Sequence, residues 1–148
     1  MYKHILVATD GSKLSSKAIK TAARLAHCVG ARLTGVYVIP EFVPPMYGEA
    51  STYVASISPR RYKELTQRDA RKALSEVDIE AQTEGVDCGA LHVTNNQAWK
   101  GILKAARAKK CDLIVMASHG RRGLSALVLG SETNKVLTHS SIPVLVCR

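Results

Sequence analysis

The chain contains 148 residues, of which 46% are hydrophobic and 5% aromatic, and its formal net charge at pH 7 is +9. This length predicts one domain spanning residues 1–148, because a chain of this size buries roughly 70% of its unfolded surface and needs no disulfides to fold. The positive charge favours anionic partners, and no apolar run approaches the roughly 20 residues of a membrane span, so we expect no membrane association.

The cysteines and the N-terminal residues indicate the compartment. The four cysteines, at positions 28, 88, 111 and 147, form no Cys-x-x-Cys pair, and the five histidines form no His-x-x-x-His pair. Zinc binding is therefore not expected, and the cysteines are interpreted as reduced thiols. The first apolar run, at residues 5–8, is too short for a signal peptide. We expect a cytoplasmic protein.

Apolar runs and turn residues alternate through the first third of the chain. Residues 5–9 form a short apolar run that predicts a strand buried on both faces. Apolar side chains three or four residues apart then predict a helix at 14–29. Either Ser12 or Asp10 is suited to cap the start of this helix, and Gly30 is suited to its end.

The remaining elements follow the same alternation. A second strand is predicted at 33–39, and residues 40–59, with four prolines, are expected to form a long loop with a functional role. The later predictions are a helix at about 62–84 ended by Gly85, a strand at 88–94, a helix around 99–106, a strand at 113–117, a helix at about 132–138 and a strand at 143–147. This order predicts an α/β protein with a parallel sheet covered by helices on both faces.

The strand at 113–117 leads into the segment with the clearest chemistry. Glycines at 120, 123 and 130 let the backbone approach a ligand closely, and a helix begins near Ser131. The unpaired N–H groups of a helix's first turn carry partial positive charge and favour phosphate. Arg121 and Arg122 add positive charge to the same loop. The pattern therefore predicts a nucleotide-binding site.

Several side chains near this loop have two interpretations. Ser131 could cap the helix, contact phosphate, or do both, and His119 could contact a ligand or be an ordinary loop histidine. Glu132 is expected to face away from phosphate. If the first and fourth strands are neighbours, Asp10 lies in the same crevice, because ligands of parallel sheets bind beyond the carboxyl ends of the strands. There it could accept a hydrogen bond from a ribose hydroxyl, act as a turn residue, or do both.

Several familiar catalytic and nucleotide-binding patterns are absent. No Gly-x-x-x-x-Gly-Lys-Ser/Thr motif occurs, no Gly-x-Gly-x-x-Gly follows the first strand, and no Gly-x-Ser-x-Gly nucleophile elbow is present. Covalent catalysis is therefore not expected. The basic residues at 60–72 lack interleaved aromatic side chains and are interpreted as a solvated helix face, so nucleic-acid binding is not expected.

Four segments together resemble the universal stress protein family over essentially the whole chain: residues 3–12, residues 112–123, Gly130-Ser131, and residues 142–146. The ATP-binding branch of that family carries a glycine, two residues, a second glycine, nine residues, and then Gly-Ser or Gly-Thr. Gly120 and Gly130-Ser131 match the second half of this pattern. Ala117 stands where the first glycine is expected.

The resemblance implies an open five-stranded sheet of order 3-2-1-4-5, of the adenine-nucleotide α-hydrolase-like type. It also implies a site for ATP with Mg²⁺ or Mn²⁺ held through the phosphates. By resemblance, the adenine and ribose are bordered by Ala8, Thr9 and Asp10. The resemblance also implies that Val38 meets the adenine edge through its backbone and that Met116 and Ala117 line the ribose. The phosphates are held, again by resemblance, by Gly120, Gly130, Ser131 and Thr133. To these we add His119, Arg121 and Arg122.

Family members commonly dimerise through their final strands, so the resemblance implies a homodimer through residues 143–147, an apolar edge that otherwise invites uncontrolled pairing. The first functional hypothesis is an ATP-dependent regulatory switch in the stress response, read by a protein partner. Any hydrolysis is expected to be slow, because no base that activates water is identified. The alternative is a nucleotide-free interaction module. An adenylating enzyme ranks last, because residues 9–12 do not match its Ser-Gly-Gly-x-Asp-Ser pattern.

Overall fold

The computed structural model describes residues 1–44, 57–120 and 129–148. Within these ranges the strands and helices alternate as predicted. In chain order they are β1 (His4–Ala8), α1 (Lys13–Val29), β2 (Arg32–Ile39), α2 (Pro59–Thr83), β3 (Cys88–Thr94), α3 (Ala98–Ala108), β4 (Leu113–Ala117), α4 (Ser131–His139) and β5 (Val144–Cys147).

The strands form one parallel sheet in the order β3-β2-β1-β4-β5, which confirms the predicted topology. Val7 of β1 pairs with Val115 of β4, and Val115 pairs with Leu145 of β5. From β1 the chain passes outward to β2 and β3, and it then returns to the other side of β1 for β4 and β5. The carboxyl ends of β1 and β4 therefore flank the point where the strand order reverses, which is where open α/β sheets bind ligands.

Helices cover both faces of the sheet, which explains why β1 and β4 are apolar throughout. Side chains such as Ile5, Val7 and Val115 pack against α1 and α2, and alternate residues such as Leu6 and Ile114 pack against α3 and α4. All five residues of β1 and of β4 are buried. No helix in the three ranges above is long and apolar enough to cross a membrane.

The caps of α1 agree with its sequence, but the predicted start of α2 is wrong. Ser12 caps α1 by accepting a hydrogen bond from the Ser15 amide at 3.2 Å. The second helix begins at Pro59 rather than near residue 62, because Ser58 caps it and proline suits the first helical position. The predicted 40–59 loop therefore loses its last residue to α2, and its residues 45–56 lie outside the described ranges.

Asp112 joins the starts of β1 and β4. Its two carboxylate oxygens accept hydrogen bonds from the amides of Lys3, at 2.8 Å, and His4, at 3.0 Å. Burial acts to raise the pKa of Asp112, but the hydrogen bonds from these amides outweigh burial, and the pKa lies below its ordinary value. The ionised carboxylate therefore stabilises the pairing of the two central strands.

We expect Asp112→Ala to lower the free energy of unfolding by about 1–2 kcal/mol at pH 7, because two amides lose a charged acceptor near the surface. A carboxylate whose pKa is depressed in the folded state stabilises the protein above its unfolded pKa, and this contribution disappears as the pH falls through the folded pKa. Urea unfolding at pH 7 and at about pH 3 tests this. The prediction would be contradicted if the difference in free energy of unfolding between wild type and variant were the same at both pH values.

Candidate functional site

Asp10 and Gly120 meet at the carboxyl ends of β1 and β4. A Cβ atom placed on Gly120 would overlap the Asp10 carboxylate, so the two residues share one crevice, as predicted. The other carboxylate oxygen of Asp10 accepts a hydrogen bond from the Ser12 amide at 3.0 Å. Asp10 is thus a turn residue that also faces the crevice, and both of its proposed interpretations are compatible with the geometry.

The neighbouring residues of β1 build the wall of this crevice. Ala8 and Thr9 are buried, and the Thr9 amide donates to the Val36 carbonyl at 3.0 Å. The Thr9 hydroxyl bonds the Ser15 hydroxyl at 3.1 Å and accepts from the Gly11 amide at 3.2 Å. The side chain of Thr9 therefore holds the turn after β1.

The segment after β4 lies tightly against the start of α4. The Gly130 amide donates to the Ser118 carbonyl at 2.7 Å. A Cβ atom on Gly130 would lie 3.0 Å from the His119 Cα and 3.1 Å from the Ser118 carbonyl oxygen. Its φ of −59° suits any residue, so glycine is favoured here by the close approach of two backbone segments, which a Cβ atom would have to displace by a few tenths of an ångström. We call residues 117–120 and 130–133 the phosphate cradle.

The first turn of α4 leaves its amides available on one side of the cradle. Gly130, not Ser131, is the N-cap, and no side chain caps the helix, so the predicted capping role of Ser131 is wrong. The first amide with a helical acceptor is that of Asn134, which donates to Gly130 at 2.9 Å. The Ser131 side chain is exposed and hydrogen-bonds no other described residue. An uncapped helix start with an exposed hydroxyl group suits an anion.

Two further predicted residues fasten the cradle internally. Thr133 is buried, and its hydroxyl donates to the Ala117 carbonyl at 2.9 Å. The Thr133 side chain therefore holds α4 against β4, and the backbone amide of Thr133 remains available to a ligand. The half-buried His119 shares a 3.1 Å hydrogen bond with the Ser118 hydroxyl. Both the ligand-binding and the loop interpretation of His119 remain compatible with this contact.

The residues predicted around the ribose and adenine lie at the same edge of the sheet. Ala117 is buried, and its methyl group belongs to the core on the α1 side, whereas the buried Met116 belongs to the core on the α3 side. Ala8 pairs with Val36, so Val38 comes level with residue 10 at the end of β2. Arg121, Arg122 and Gly123 lie outside the described ranges, and their roles stay predictions.

The contact made by Glu132 was not foreseen in detail. Its Oε2 accepts a hydrogen bond from the Trp99 amide at the start of α3, at 2.8 Å, and its Oε1 lies 3.1 Å from the Lys135 ammonium group. A signal for this contact exists in the sequence: Gln97 precedes α3, and glutamine is not among the residues that favour the N-cap position. An acceptor for the first turn of α3 must therefore come from elsewhere.

Cys88 and Cys111 lie away from this chemistry, whereas Cys147 ends β5 and pairs with Ala117 of the cradle. Cys88 begins β3 and Cys111 precedes β4, so both lie near the amino ends of the strands. Burial raises the pKa of Cys88 to about 12, with a further contribution from the Asp78 carboxylate, and burial raises the pKa of Cys111 to about 11. Both groups remain neutral thiols at physiological pH and are poor nucleophiles.

The sequence profile of the universal stress protein family matches residues 1–148. This chain belongs to that family. The universal stress protein YxiE of Bacillus subtilis is 32% identical to it, with both chains covered in full. A solved universal stress protein in complex with cAMP has a TM-score of 0.71 and 24% identity, over 99% of this chain and 97% of that one. The Archaeoglobus fulgidus universal stress protein in complex with dAMP has a TM-score of 0.73 and 19% identity, over 99% and 98%. The two structures show that the fold is shared.

Proposed function

We propose that this universal stress protein binds ATP between the carboxyl ends of β1 and β4 and acts as a nucleotide-dependent switch in the stress response. The observation that carries the proposal is the geometry of the cradle. Two backbone segments approach so closely at Gly130 that a Cβ atom there would make unusually tight contacts with them, and they do so beside the uncapped first turn of α4. Backbone amides and a helix start in this arrangement suit phosphate oxygens.

The proposed roles follow the positions of the residues. The Asp10 carboxylate accepts from a ribose hydroxyl, the backbone at Ala8, Thr9 and Val38 borders adenine, and Met116 and Ala117 line the ribose. Gly120, Gly130, Ser131 and Thr133 contact the phosphates, together with His119, Arg121 and Arg122. In the described part of the chain, no group of three His, Cys, Asp or Glu side chains could hold a metal. We propose that Mg²⁺ or Mn²⁺ enters with the phosphates.

Two further observations support the proposed ligand: the first supports its adenine and the second its polyphosphate chain. The fold neighbours named above hold cAMP and dAMP. In this chain, nine residues separate Gly120 from Gly130-Ser131, as in the ATP-binding branch that the sequence resembles. The free thiols and the family membership support a cytoplasmic location. Binding rather than turnover is proposed, because the sequence identifies no base that activates water.

The alternative, a nucleotide-free interaction module, rests on Ala117, which replaces the first glycine of the ATP-binding pattern. The structure weakens this alternative, because the Ala117 methyl group packs into the core on the α1 side. Either function is compatible with a homodimer. We propose that β5 pairs with β5 of a second copy, since it is a short apolar strand at the edge of the sheet, with Leu145 37% exposed.

Titration of purified, nucleotide-stripped protein with Mg-ATP tests the proposed function. We expect saturable binding, weakened about tenfold by Ser131→Ala, because a hydrogen bond to a charged phosphate is lost. Ser75→Ala is the matched control, since Ser75 is an exposed helical serine on α2. Absence of binding at millimolar nucleotide would favour the interaction module. Single-turnover measurements on the complex then separate a switch from an ATPase.

A further inference from the structure

The start of α3 lacks a side-chain cap of its own. Gln97 occupies the N-cap position and makes no capping hydrogen bond. The amide of Trp99, in the first turn, instead donates to Glu132 of α4 at 2.8 Å, across 33 residues of sequence. A carboxylate is a favourable acceptor here, because the start of a helix carries partial positive charge. Glu132 therefore caps one helix from the first turn of another.

The carboxylate is held in place from both sides. Its second oxygen lies 3.1 Å from the Lys135 ammonium group, one turn further along α4. On the other side of the first turn, Gly130 and Thr133 are hydrogen-bonded to the Ser118 and Ala117 carbonyls. The turn that forms half of the phosphate cradle is therefore fastened to β4 by two contacts and to α3 by one.

Aromatic packing joins the same two helices a second time. The Trp99 ring lies 4.5 Å from the His139 ring, centroid to centroid, at an interplanar angle of 33°. His139 is the last residue of α4, and Trp99 is the only tryptophan in the chain. A shift or rotation of α4 thus changes the surroundings of the only tryptophan, whose emission can be excited separately from that of the tyrosines.

We propose that Glu132 is a positioning residue that couples the phosphate cradle to the start of α3, so that phosphate bound at the cradle is sensed at Trp99. The inference rests on the proposed nucleotide binding. Glu132 holds the first turn of α4 in the arrangement that binds phosphate, and the ligand then does not have to order that turn. Bound phosphate in turn draws the first-turn amides toward itself and transmits a displacement to the Trp99 amide through the Glu132 carboxylate.

Two substitutions of Glu132 distinguish a positioning role of its side chain from an effect of its negative charge. Glu132→Ala removes the acceptor, and we expect about tenfold weaker Mg-ATP binding by calorimetry. Glu132→Gln keeps a side-chain oxygen for the Trp99 amide, and we expect affinity within about twofold of wild type. If Glu132 acts only as a negative charge near phosphate, both variants bind tighter by the same factor, which overturns the proposal. Glu76→Ala, which removes a carboxylate from α2 and leaves the Trp99 contact in place, is the control.

Trp99 fluorescence supplies a second measurement. Its response to ligand would not depend on Glu132 if Glu132 only stabilised the fold. With saturating Mg-ATP, and with Mg-tripolyphosphate as a probe without adenine, we expect an emission change in wild type and Glu132→Gln that is absent in Glu132→Ala. If Glu132→Ala melts at a lower temperature but keeps wild-type affinity and emission change, the proposal is overturned. If wild type binds no nucleotide by calorimetry, the proposed function fails instead, so the two failures are distinguishable.

Discussion

Gly130→Val is expected to abolish measurable Mg-ATP binding and to lower the free energy of unfolding by about 1–3 kcal/mol, as overpacked sites do. The added side chain would start 3.0 Å from the His119 Cα and 3.1 Å from the Ser118 carbonyl oxygen. Both atoms belong to the backbone, so they cannot rotate away. We expect the two halves of the cradle to shift apart, which weakens the 2.7 Å hydrogen bond between Gly130 and Ser118.

Gly120→Ala tests whether the crevice affects nucleotide binding separately from stability. Among the described residues, the new methyl group on Gly120 meets only the Asp10 side chain, which can turn away. We therefore expect near wild-type stability together with weaker nucleotide binding, because the displaced carboxylate no longer faces the ribose. Gly89→Ala on β3 is the control, since its methyl group would make an ordinary 3.7 Å contact with Thr34. Wild-type affinity in Gly130→Val by calorimetry would refute the cradle.

Val146→Pro is expected to convert a dimer into a monomer while leaving the fold intact. The carbonyls of Pro143 and Cys147 accept hydrogen bonds from the amides of Ile114, on β4, and of Ser118, directly after β4. Because backbone groups of successive strand residues point to opposite sides, the N–H group of Val146 points away from β4, toward the open edge. Proline at this position removes an outward donor and spares the pairing with β4.

Light scattering coupled to size exclusion measures this effect. We expect wild type at twice the 16.0 kDa of one chain and Val146→Pro at 16.0 kDa. Leu145→Asp, which places a charge on the exposed apolar side chain of the same strand, should give the same result. Ile79→Asp on α2 is the control, because Ile79 is 60% exposed but distant from β5 in the fold. A Val146→Pro protein that stays dimeric would rule out pairing through β5.

Local sequence signals predicted the elements, whereas the contacts between elements needed the structure. The apolar runs of β1 and β4 could be predicted because both strands are buried on both faces, and Ser12 and Gly30 mark the ends of α1 through capping and a left-handed φ of 66°. The predicted start of α2 is wrong because Ser58 and Pro59 follow a proline-rich segment and resemble it in composition.

The crevice itself was partly predictable. Asp10 and Gly120 follow two strands that the resemblance made neighbours, and their contact follows from that pairing. The link between Glu132 and Trp99 depends on how α4 docks beside α3, and apolar spacing does not specify that geometry. The same is true of Ala117: the sequence shows an added methyl group, but only the packing shows that it lies in the core.

The amide NMR spectrum of labelled protein titrated with Mg-ATP tests the central claim most directly. We expect the largest shifts at Gly120, Gly130, Ser131, Glu132 and Thr133, because their amides line the cradle. Shifts confined to the amino ends of the strands, or no shifts at millimolar nucleotide, would contradict it.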